Sequence, residues 1–233
     1  MPDEITYSII LPAYLEEENL RLLLPRLGET LRHIQEASEV IVVDTAKPLD
    51  GTKEVCAQYG ARHVIRRPSD SFGDAMRTGI REARGQWLIF MDADGSHAPE
   101  FIPRLIEHSG DNDIVIASRY IEGGFTENAW IMAFMSRVLN LTYSIVLNLN
   151  VKDVSNNFKL YRAGVLKDLG LSCQNFDIVE EILFKIARAH PGVRIKEIPF
   201  SFKKRMFGQT KRSLLLFMMT YIFTIIKLRF HLR

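Results

Sequence analysis

The sequence predicts an α/β protein with a Rossmann-like, mostly parallel sheet and helices on both faces. Apolar strand segments alternate with helical segments at intervals of roughly 20 to 30 residues, as in parallel α/β sheets. The strands are apolar along their whole length, which is typical of strands buried on both faces. With 233 residues, 47% apolar and 25% charged, the chain has the composition of one globular domain.

The first half of the chain contains five predicted strands with helices between them. The strands are expected at 8–11, 40–43, 63–65, 87–91 and 114–117. The helices are expected at 16–37, 53–59, 73–83 and 99–108. Pro12 closes the first strand and Pro99 opens the fourth helix, whereas Pro25 should kink or divide the first helix.

The second half of the chain does not keep this regular alternation of strands and helices. A largely apolar stretch at 128–148 predicts a helix or a helix pair, followed by a strand at 158–161. An amphipathic helix is expected at 176–190, and a last, antiparallel strand at 195–202. No repeat or linker divides the chain, so we expect one domain over 1–212 and a separate C-terminal helix over 213–233.

The C-terminal segment is basic and apolar. Residues 194–233 carry ten Lys or Arg and one acid, whereas the rest of the chain has a balance of −7. The apolar run at 214–226 is 13 residues long, and a spanning helix needs roughly 20. An amphipathic helix lying on an anionic membrane surface is therefore expected. A buried terminal helix, a solvated basic face or contact with a membrane-anchoring partner or a second copy are the alternatives.

Other features limit the location and the class of protein. Two cysteines, Cys56 and Cys173, favour a reducing compartment, and the acidic N-terminus is not that of a signal peptide. We therefore expect a cytoplasmic protein held peripherally at the membrane. No Gly-x-Gly-x-x-Gly follows the first strand, which argues against a dinucleotide oxidoreductase. Nucleic-acid binding would explain the basic tail but not the acidic motif described next.

Acidic residues stand at the ends of two predicted strands, at Asp44 and at Asp92-Ala93-Asp94-Gly95-Ser96. Ligands of parallel sheets bind beyond the carboxyl ends of the strands. Paired carboxylates there suit Mg²⁺ or Mn²⁺, which complete their coordination with substrate phosphates. The motif therefore predicts a metal-diphosphate site.

The loop after the first strand is a candidate nucleoside site. Pro12 stiffens it, and Tyr14 and nearby carboxylates could hold a base and a ribose. Glu17 and Glu18 could instead only complement the dipole of the following helix.

Eight segments follow in order along the chain. They are ILPAYLEEEN at 10–19, VVD at 42–44 with DGT at 50–52, RTG at 77–79 with Ala83-Arg84-Gly85, MDADGSHAPE at 91–100, ASRY at 117–120, SRVLN at 136–140, DVSNNFKLYR at 153–162 and RMFGQTKRS at 205–213. Together they resemble the family 2 glycosyltransferases of GT-A fold, and within that family the dolichol- or polyprenyl-phosphate hexose synthases. The resemblance covers nearly the whole chain, with departures at Leu15, Thr45, Asn157 and Lys159.

The resemblance implies a role for each matching residue. The nucleoside pocket and other substrate contacts would come from Pro12, Ala13, Tyr14, Glu16, Asp44, Ala93 and Ser118. Asp92 and Asp94 would engage Mg²⁺ or Mn²⁺ and the diphosphate, with Ser96 as a further metal ligand. The substrate phosphates would be bound by Arg119 and Arg137, and Arg205 and Lys211 would close over them.

The implied reaction is inverting transfer of a hexose from a nucleotide-diphosphate sugar to a polyprenyl phosphate. A phosphate monoester is already anionic at neutral pH, so no general base is assigned. Asp153, His97 and Glu180 are interpreted as structural. A glycan or another hydroxyl acceptor, and a non-catalytic nucleotide-sugar-binding subunit, are the alternatives; the sugar and the base stay open.

Overall fold

The computed structural model describes residues 4–207, 223–226 and 228–230. Nine strands are present in this part of the chain: β1 Tyr7–Pro12, β2 Ser38–Asp44, β3 Arg62–Ile65, β4 Trp87–Phe90, β5 Ile114–Ser118, β6 Phe125–Thr126, β7 Lys159–Arg162, β8 Ile195–Pro199 and β9 Ser201–Phe202. The α-helices are α1 Glu17–Arg32, α2 Thr52–Gln58, α3 Phe72–Glu82, α4 Ile102–Glu107, α5 Trp130–Val146, α6 Ala163–Leu166 and α7 Ile178–Ala189. A 3₁₀ turn at Pro99–Phe101 precedes α4.

Seven strands form one mixed sheet in the order β3-β2-β1-β4-β7-β5-β8. β1, β2, β3 and β4 are mutually parallel, and β5 is parallel to β8. Only β7 among these runs antiparallel, inserted between β4 and β5. The mostly parallel α/β fold predicted from the sequence is confirmed.

The predicted direction of the last strand is wrong. Ile195–Pro199 lies parallel to β5, and Ser201–Phe202 lies parallel to β6 in a separate two-stranded sheet. The antiparallel strand is β7, one element earlier. A strand's apolar pattern reports its burial, whereas its direction depends on how the connecting helices return the chain to the sheet.

Two helix expectations also have definite outcomes. The first helix is not divided, because α1 runs through Pro25 from Glu17 to Arg32. The apolar stretch at 128–148 forms one helix, α5, rather than a pair.

Both faces of the sheet are buried. Along β1, Ile10 packs into a cluster with α3, α5 and α7, whereas Ile9 and Leu11 pack into a second cluster with α1, α2 and α4. Such two-sided burial explains the continuous apolar strands at the centre of the sheet, whereas the edge strands β3 and β8 are only partly buried.

The C-terminal part is described only in two short pieces. Residues 223–226 and 228–230 are helical. Thr224 donates to Asp177 of the domain at 2.5 Å, and Leu228 packs into the core. Phe223 and Phe230 are exposed. Within the described ranges no helix is long and apolar enough to cross a membrane.

Candidate active site

The acidic segment forms a tight turn directly after β4. Gly95 takes a φ of +78°, a left-handed conformation that suits glycine. The Ser96 backbone N–H and hydroxyl both donate to Asp94 Oδ1, at 3.0 and 2.6 Å. Asp92 and Asp94 keep 33% and 22% of their side chains exposed, so both carboxylates are accessible at the carboxyl edge of the sheet.

His97 anchors this turn from beneath. Its ring is fully buried, and its Nδ1 accepts the Asp92 backbone N–H at 2.9 Å. Nε2 therefore carries the ring proton and donates to Asn156 Oδ1 at 3.0 Å. Burial lowers the pKa of His97, although Asp92 and Asp94 oppose this, so the ring stays neutral. The burial and hydrogen bonds of the ring support the structural interpretation of His97 made from the sequence.

The antiparallel strand brings a further residue to the acidic turn. Because β7 runs opposite to its neighbours, its beginning lies at the edge where β4 ends. Asn157 lies two residues before β7, and its Nδ2 donates to Asp92 Oδ1 at 3.0 Å. Asn157 was noted in the sequence only as a departure from the family pattern.

Arg205 links the acidic turn to the loop before α1. Its guanidinium contacts Glu16, and its Nε lies 3.3 Å from Asp94 Oδ2. The backbone around Arg205 is also held, because Met206 N–H donates to the Asp94 carbonyl and Phe207 N–H donates to Asn19. Glu16, Asp94 and Arg205, which are far apart in the sequence, thus meet at one place.

A cavity of about 270 Å³ lies beside this contact. It is lined by Leu15, Glu17, Glu18, Asn19, Asp50, Arg205 and Phe207. Asp92 and Asp94 do not line it, so Arg205 stands between the cavity and the acidic turn. Glu17 also accepts the Gly51 N–H at 2.7 Å, which ties the cavity wall to the loop after β2.

The predicted nucleoside residues cluster where β1 and β2 end. Asp44 is buried and contacts His63 Nε2 at 3.1 Å. Pro12 and Ala13 are also buried, whereas Tyr14 is 43% exposed. Leu15 takes a left-handed φ of +56°, a conformation that asparagine adopts more readily than leucine.

Arg66, which sequence reasoning missed, ties this cluster together. It is buried after β3, and its guanidinium donates to the carbonyls of Ala13, Val43 and Asp44. Burial lowers its pKa, and Asp44 counteracts this. Its position after a strand, at the edge where the acids lie, was the available signal.

Arg119 and Arg137 lie in different environments. Arg119 is buried and forms a two-point ion pair with Asp153, at 2.8 and 2.7 Å. Arg137 is exposed on α5. Next to Arg119, the buried Ser118 hydroxyl donates to Glu197 at 2.7 Å. Ala93 is buried within the acidic turn, and Lys211 lies outside the described residues.

The oxygen ligands of the acidic turn suit a hard divalent cation. Asp92 and Asp94 supply accessible carboxylate oxygens, and Mg²⁺ or Mn²⁺ is commonly held by one or two carboxylates plus substrate phosphates. No group of three or more His, Cys, Asp or Glu in the described ranges could hold an ion by itself. The residues therefore fit a cation that arrives with a diphosphate. Ser96 is buried, with its hydroxyl turned to Asp94.

This fold, with an Asp-x-Asp turn at the carboxyl edge of the sheet, defines a glycosyltransferase of the GT-A type. The chain belongs to glycosyl transferase family 2, whose pattern it matches over residues 8–170. The resemblance inferred from the eight sequence segments is confirmed at the family level.

Named relatives cover most of the chain. It is 36% identical over 217 residues to an undecaprenyl-phosphate mannosyltransferase of Micrococcus luteus, covering 88% of this chain and 86% of that protein. It is 31% identical to a dolichol-phosphate mannosyltransferase of Saccharomyces cerevisiae, covering 90% and 82%. A dolichol-phosphate mannosyltransferase of Pyrococcus furiosus is 32% identical, but the chain spans only 58% of its length.

Solved structures agree on the fold. Glucosyl-3-phosphoglycerate synthase of Mycobacterium tuberculosis, in complex with Mn²⁺, UDP and glucosyl-3-phosphoglycerate, has a TM-score of 0.72 at 19% identity, covering 96% of this chain and 80% of that one. A complex of the same enzyme with Mg²⁺ and UDP gives 0.71 at 18% identity, covering 96% and 79%.

Proposed function

We propose that this enzyme transfers a hexose, with inversion, from GDP-mannose or a UDP-sugar to a polyprenyl phosphate. The observation that carries the proposal is the similarity, over 88% of the chain, to a relative named as an undecaprenyl-phosphate mannosyltransferase. The accessible acidic turn supports it, because a nucleotide-sugar donor presents a diphosphate for metal binding.

The donor diphosphate would bind at the acidic turn. Asp92 and Asp94 would hold Mg²⁺ or Mn²⁺ together with the diphosphate oxygens, and the ion would neutralise charge on the leaving nucleotide. Both ions occur in the solved complexes of the structural neighbour. Ser96 and His97 would keep the two carboxylates oriented through the bonds described above.

Arg205 would exchange partners when the donor binds. In the described structure its guanidinium contacts Glu16 and Asp94. A cation at Asp94 would compete for the same carboxylate, and the guanidinium suits bidentate contact with a phosphate. We expect Arg205, with Lys211, to contact the donor phosphates, and Tyr14, Glu16 and Asp44 to contact the nucleoside.

The acceptor requires no general base. A phosphate monoester oxygen is nucleophilic in its ionised form, so the protein only has to position it and offset its charge. Arg137, exposed on α5, is the arginine that we assign to the acceptor phosphate.

A lipid acceptor also implies a membrane surface, and α5 has the side chains for one. The helix contains a single charged residue, Arg137, and no acid. Seven of its apolar side chains are exposed: Trp130, Ile131, Met132, Phe134, Val138, Leu141 and Ile145. The neighbouring Lys203 and Lys204 are exposed and basic, and Lys204 N–H donates to Glu127 just before α5. An apolar helix face with basic neighbours suits an anionic lipid surface.

Transfer can be tested directly by incubating the protein with Mn²⁺, farnesyl or polyprenyl phosphate and GDP-mannose or UDP-glucose. We expect a lipid-linked hexose that Asp94→Asn reduces at least about 100-fold, since one ligand of the diphosphate-bound metal is lost. Glu54→Gln, an exposed carboxylate on α2, is the matched control and should keep wild-type turnover. Unchanged turnover in Asp94→Asn, or transfer only to hydroxyl acceptors, would contradict the proposal.

A further inference from the structure

Tyr120, which no step of the proposed reaction uses, lies between the two arginines of the site. Its ring centroid is 5.0 Å from the guanidinium carbon of Arg119 and 5.4 Å from that of Arg137. Both distances are within the range of cation–π attraction. The ring is therefore the contact that joins the buried arginine to the exposed one.

Arg119 is fixed in place and its charge is already compensated. Asp153 accepts from its Nε and Nη2, and Ser155 Oγ accepts a further bond at 2.9 Å. Burial acts to lower the pKa of Arg119, but the charge and hydrogen bonds of Asp153 prevail and raise it above its usual value. Arg119 thus remains charged, and its guanidinium is held in a fixed position against the Tyr120 ring.

Arg137 has the opposite character. It is exposed, and within the described ranges it has no ion pair. Its guanidinium lies over the Tyr120 ring in a cation–π contact. Without that ring a long, solvated arginine side chain would sample many rotamers.

Helix α5, which carries Arg137, is also linked to Arg119 by hydrogen bonds through Ser155. Asn140 lies one turn further along α5, and its Nδ2 donates to Ser155 Oγ at 3.0 Å. Ser155 N–H in turn donates to Asn140 Oδ1 at 2.8 Å. Ser155 also accepts from Arg119, so α5 and Arg119 share one hydrogen-bonded partner.

The hydroxyl of Tyr120 does not take part in this arrangement. It is buried and has no hydrogen-bond partner within the described part of the chain. The contacts to Arg119 and Arg137 are made by the aromatic face, so substitutions that keep or remove the ring can be compared directly.

We propose that Tyr120 is a positioning residue that holds the Arg137 guanidinium ready for the phosphate of an isoprenyl monophosphate acceptor. This inference rests on the proposed lipid-phosphate function. The acceptor is favoured over the donor because Arg137 lies on α5, the helix with the exposed apolar face, and a lipid phosphate arrives with an apolar chain.

The test compares Tyr120→Phe, which keeps the ring, with Tyr120→Leu, which removes it. Calorimetry measures the Kd for farnesyl phosphate, with farnesol as the uncharged control, and steady-state assays measure KM and kcat for both substrates. Tyr120→Phe should match the wild type. Tyr120→Leu should weaken farnesyl phosphate binding and raise the acceptor KM about two- to fivefold, as expected for one lost cation–π contact at an exposed site, with kcat and the donor KM little changed.

A double-variant comparison separates positioning from general damage. Tyr120→Leu combined with Arg137→Ala should bind farnesyl phosphate no more weakly than Arg137→Ala alone, because the ring acts through that arginine. If Tyr120→Leu does not fold, judged by thermal unfolding, Tyr120→Met replaces it throughout.

The outcomes distinguish this inference from the proposed function. Equal farnesyl phosphate affinity in the Phe and Leu variants would overturn the role of Tyr120 even if transfer occurs. Ring-dependent binding without any transfer would uphold it while the proposed reaction fails. No preference of the wild type for farnesyl phosphate over farnesol would also overturn it.

Discussion

Charged side chains at the carboxyl edge of the sheet pair with each other in the described structure. Asp94 contacts Arg205, and Asp153 holds Arg119 in a fully buried pair. Breaking a buried pair by removing one partner is strongly destabilising, typically by about 3 to 5 kcal/mol. Under the proposed function, metal and donor phosphates would compete with the partly exposed Asp94–Arg205 contact, whereas the buried Arg119–Asp153 pair would stay intact.

Lys159 gives a pH-dependent prediction at this scale. It is fully buried, and its Nζ donates to the carbonyls of Val154 and Asn156. Burial lowers its pKa to about 8, although Asp153 and Glu180 act to raise it. Between pH 8 and its ordinary pKa near 10.4, the unfolded chain binds a proton that the folded chain does not. Stability contributed at this site therefore rises with pH through that window.

The measurement is the free energy of unfolding in urea for wild type and Lys159→Met at pH 7.5, 9 and 10. The wild type should gain stability relative to the variant as the pH rises. Subtracting the variant removes the titration of the buried Cys56, Cys173 and Tyr161, which both proteins share. A difference that stays constant with pH would contradict the lowered pKa.

At the element scale, the start of α3 packs directly against the backbone of the segment before α7. The Ser71 hydroxyl accepts the Asp74 N–H at 3.0 Å and caps the helix, and Gly73 N–H donates to the Gln174 carbonyl at 2.8 Å. A Cβ at Gly73 would lie 2.1 Å from the Cys173 carbonyl oxygen. Only glycine allows this approach between α3 and the segment before α7.

Gly73→Ala should therefore destabilise the protein by about 1 to 3 kcal/mol, because backbone has to move. Gly28 is the matched control. It lies inside α1, is exposed, and has nothing within 4 Å of the position of an added Cβ. Gly28→Ala should be neutral or stabilise by up to about 1 kcal/mol, through helix propensity. Urea denaturation midpoints measure both, and equal effects of the two substitutions would contradict the close contact.

For the whole molecule, apolar exposure and charge are the features that support the proposed membrane-facing side. α5 exposes Trp130 and Phe134, and the C-terminal pieces expose Phe223 and Phe230. The sequence outside 194–233 is acidic, with a balance of −7, so on the proposed function the basic tail would set the orientation at an anionic surface. The division into a domain over 1–212 and an interfacial helix over 213–233 stays a prediction, because residues 208–222 are not described.

Sedimentation with vesicles of phosphatidylglycerol and phosphatidylcholine tests this surface. Phe134→Glu, at a side chain that is 61% exposed, should reduce the bound fraction several-fold, because a charge cannot enter the acyl boundary without cost. Leu22→Glu, at a 47% exposed position on α1, is the control and should bind like wild type. Equal loss in both variants, or none in Phe134→Glu, would show that α5 does not face lipid.

Local patterns could be predicted because they depend on neighbours along the chain. Apolar runs located the strands, and the acidic motif following one strand located Asp92 and Asp94. Arg66 and Tyr120 were not singled out, since their importance comes from carbonyls and guanidinium groups that are distant in sequence. The direction of β8 was wrong for the same reason: connections, not the strand itself, orient it.

The sequence by itself determined the α/β class, the glycosyltransferase family and the acidic turn, since these depend on side-chain pattern and motif order. Only the tertiary structure decided which charges meet: Arg205 with Glu16 and Asp94, Arg119 with Asp153, and Tyr120 between two arginines. The physical reason is that ion pairs and ring contacts act over a few ångströms, and folding alone brings residues as far as 189 positions apart within that distance.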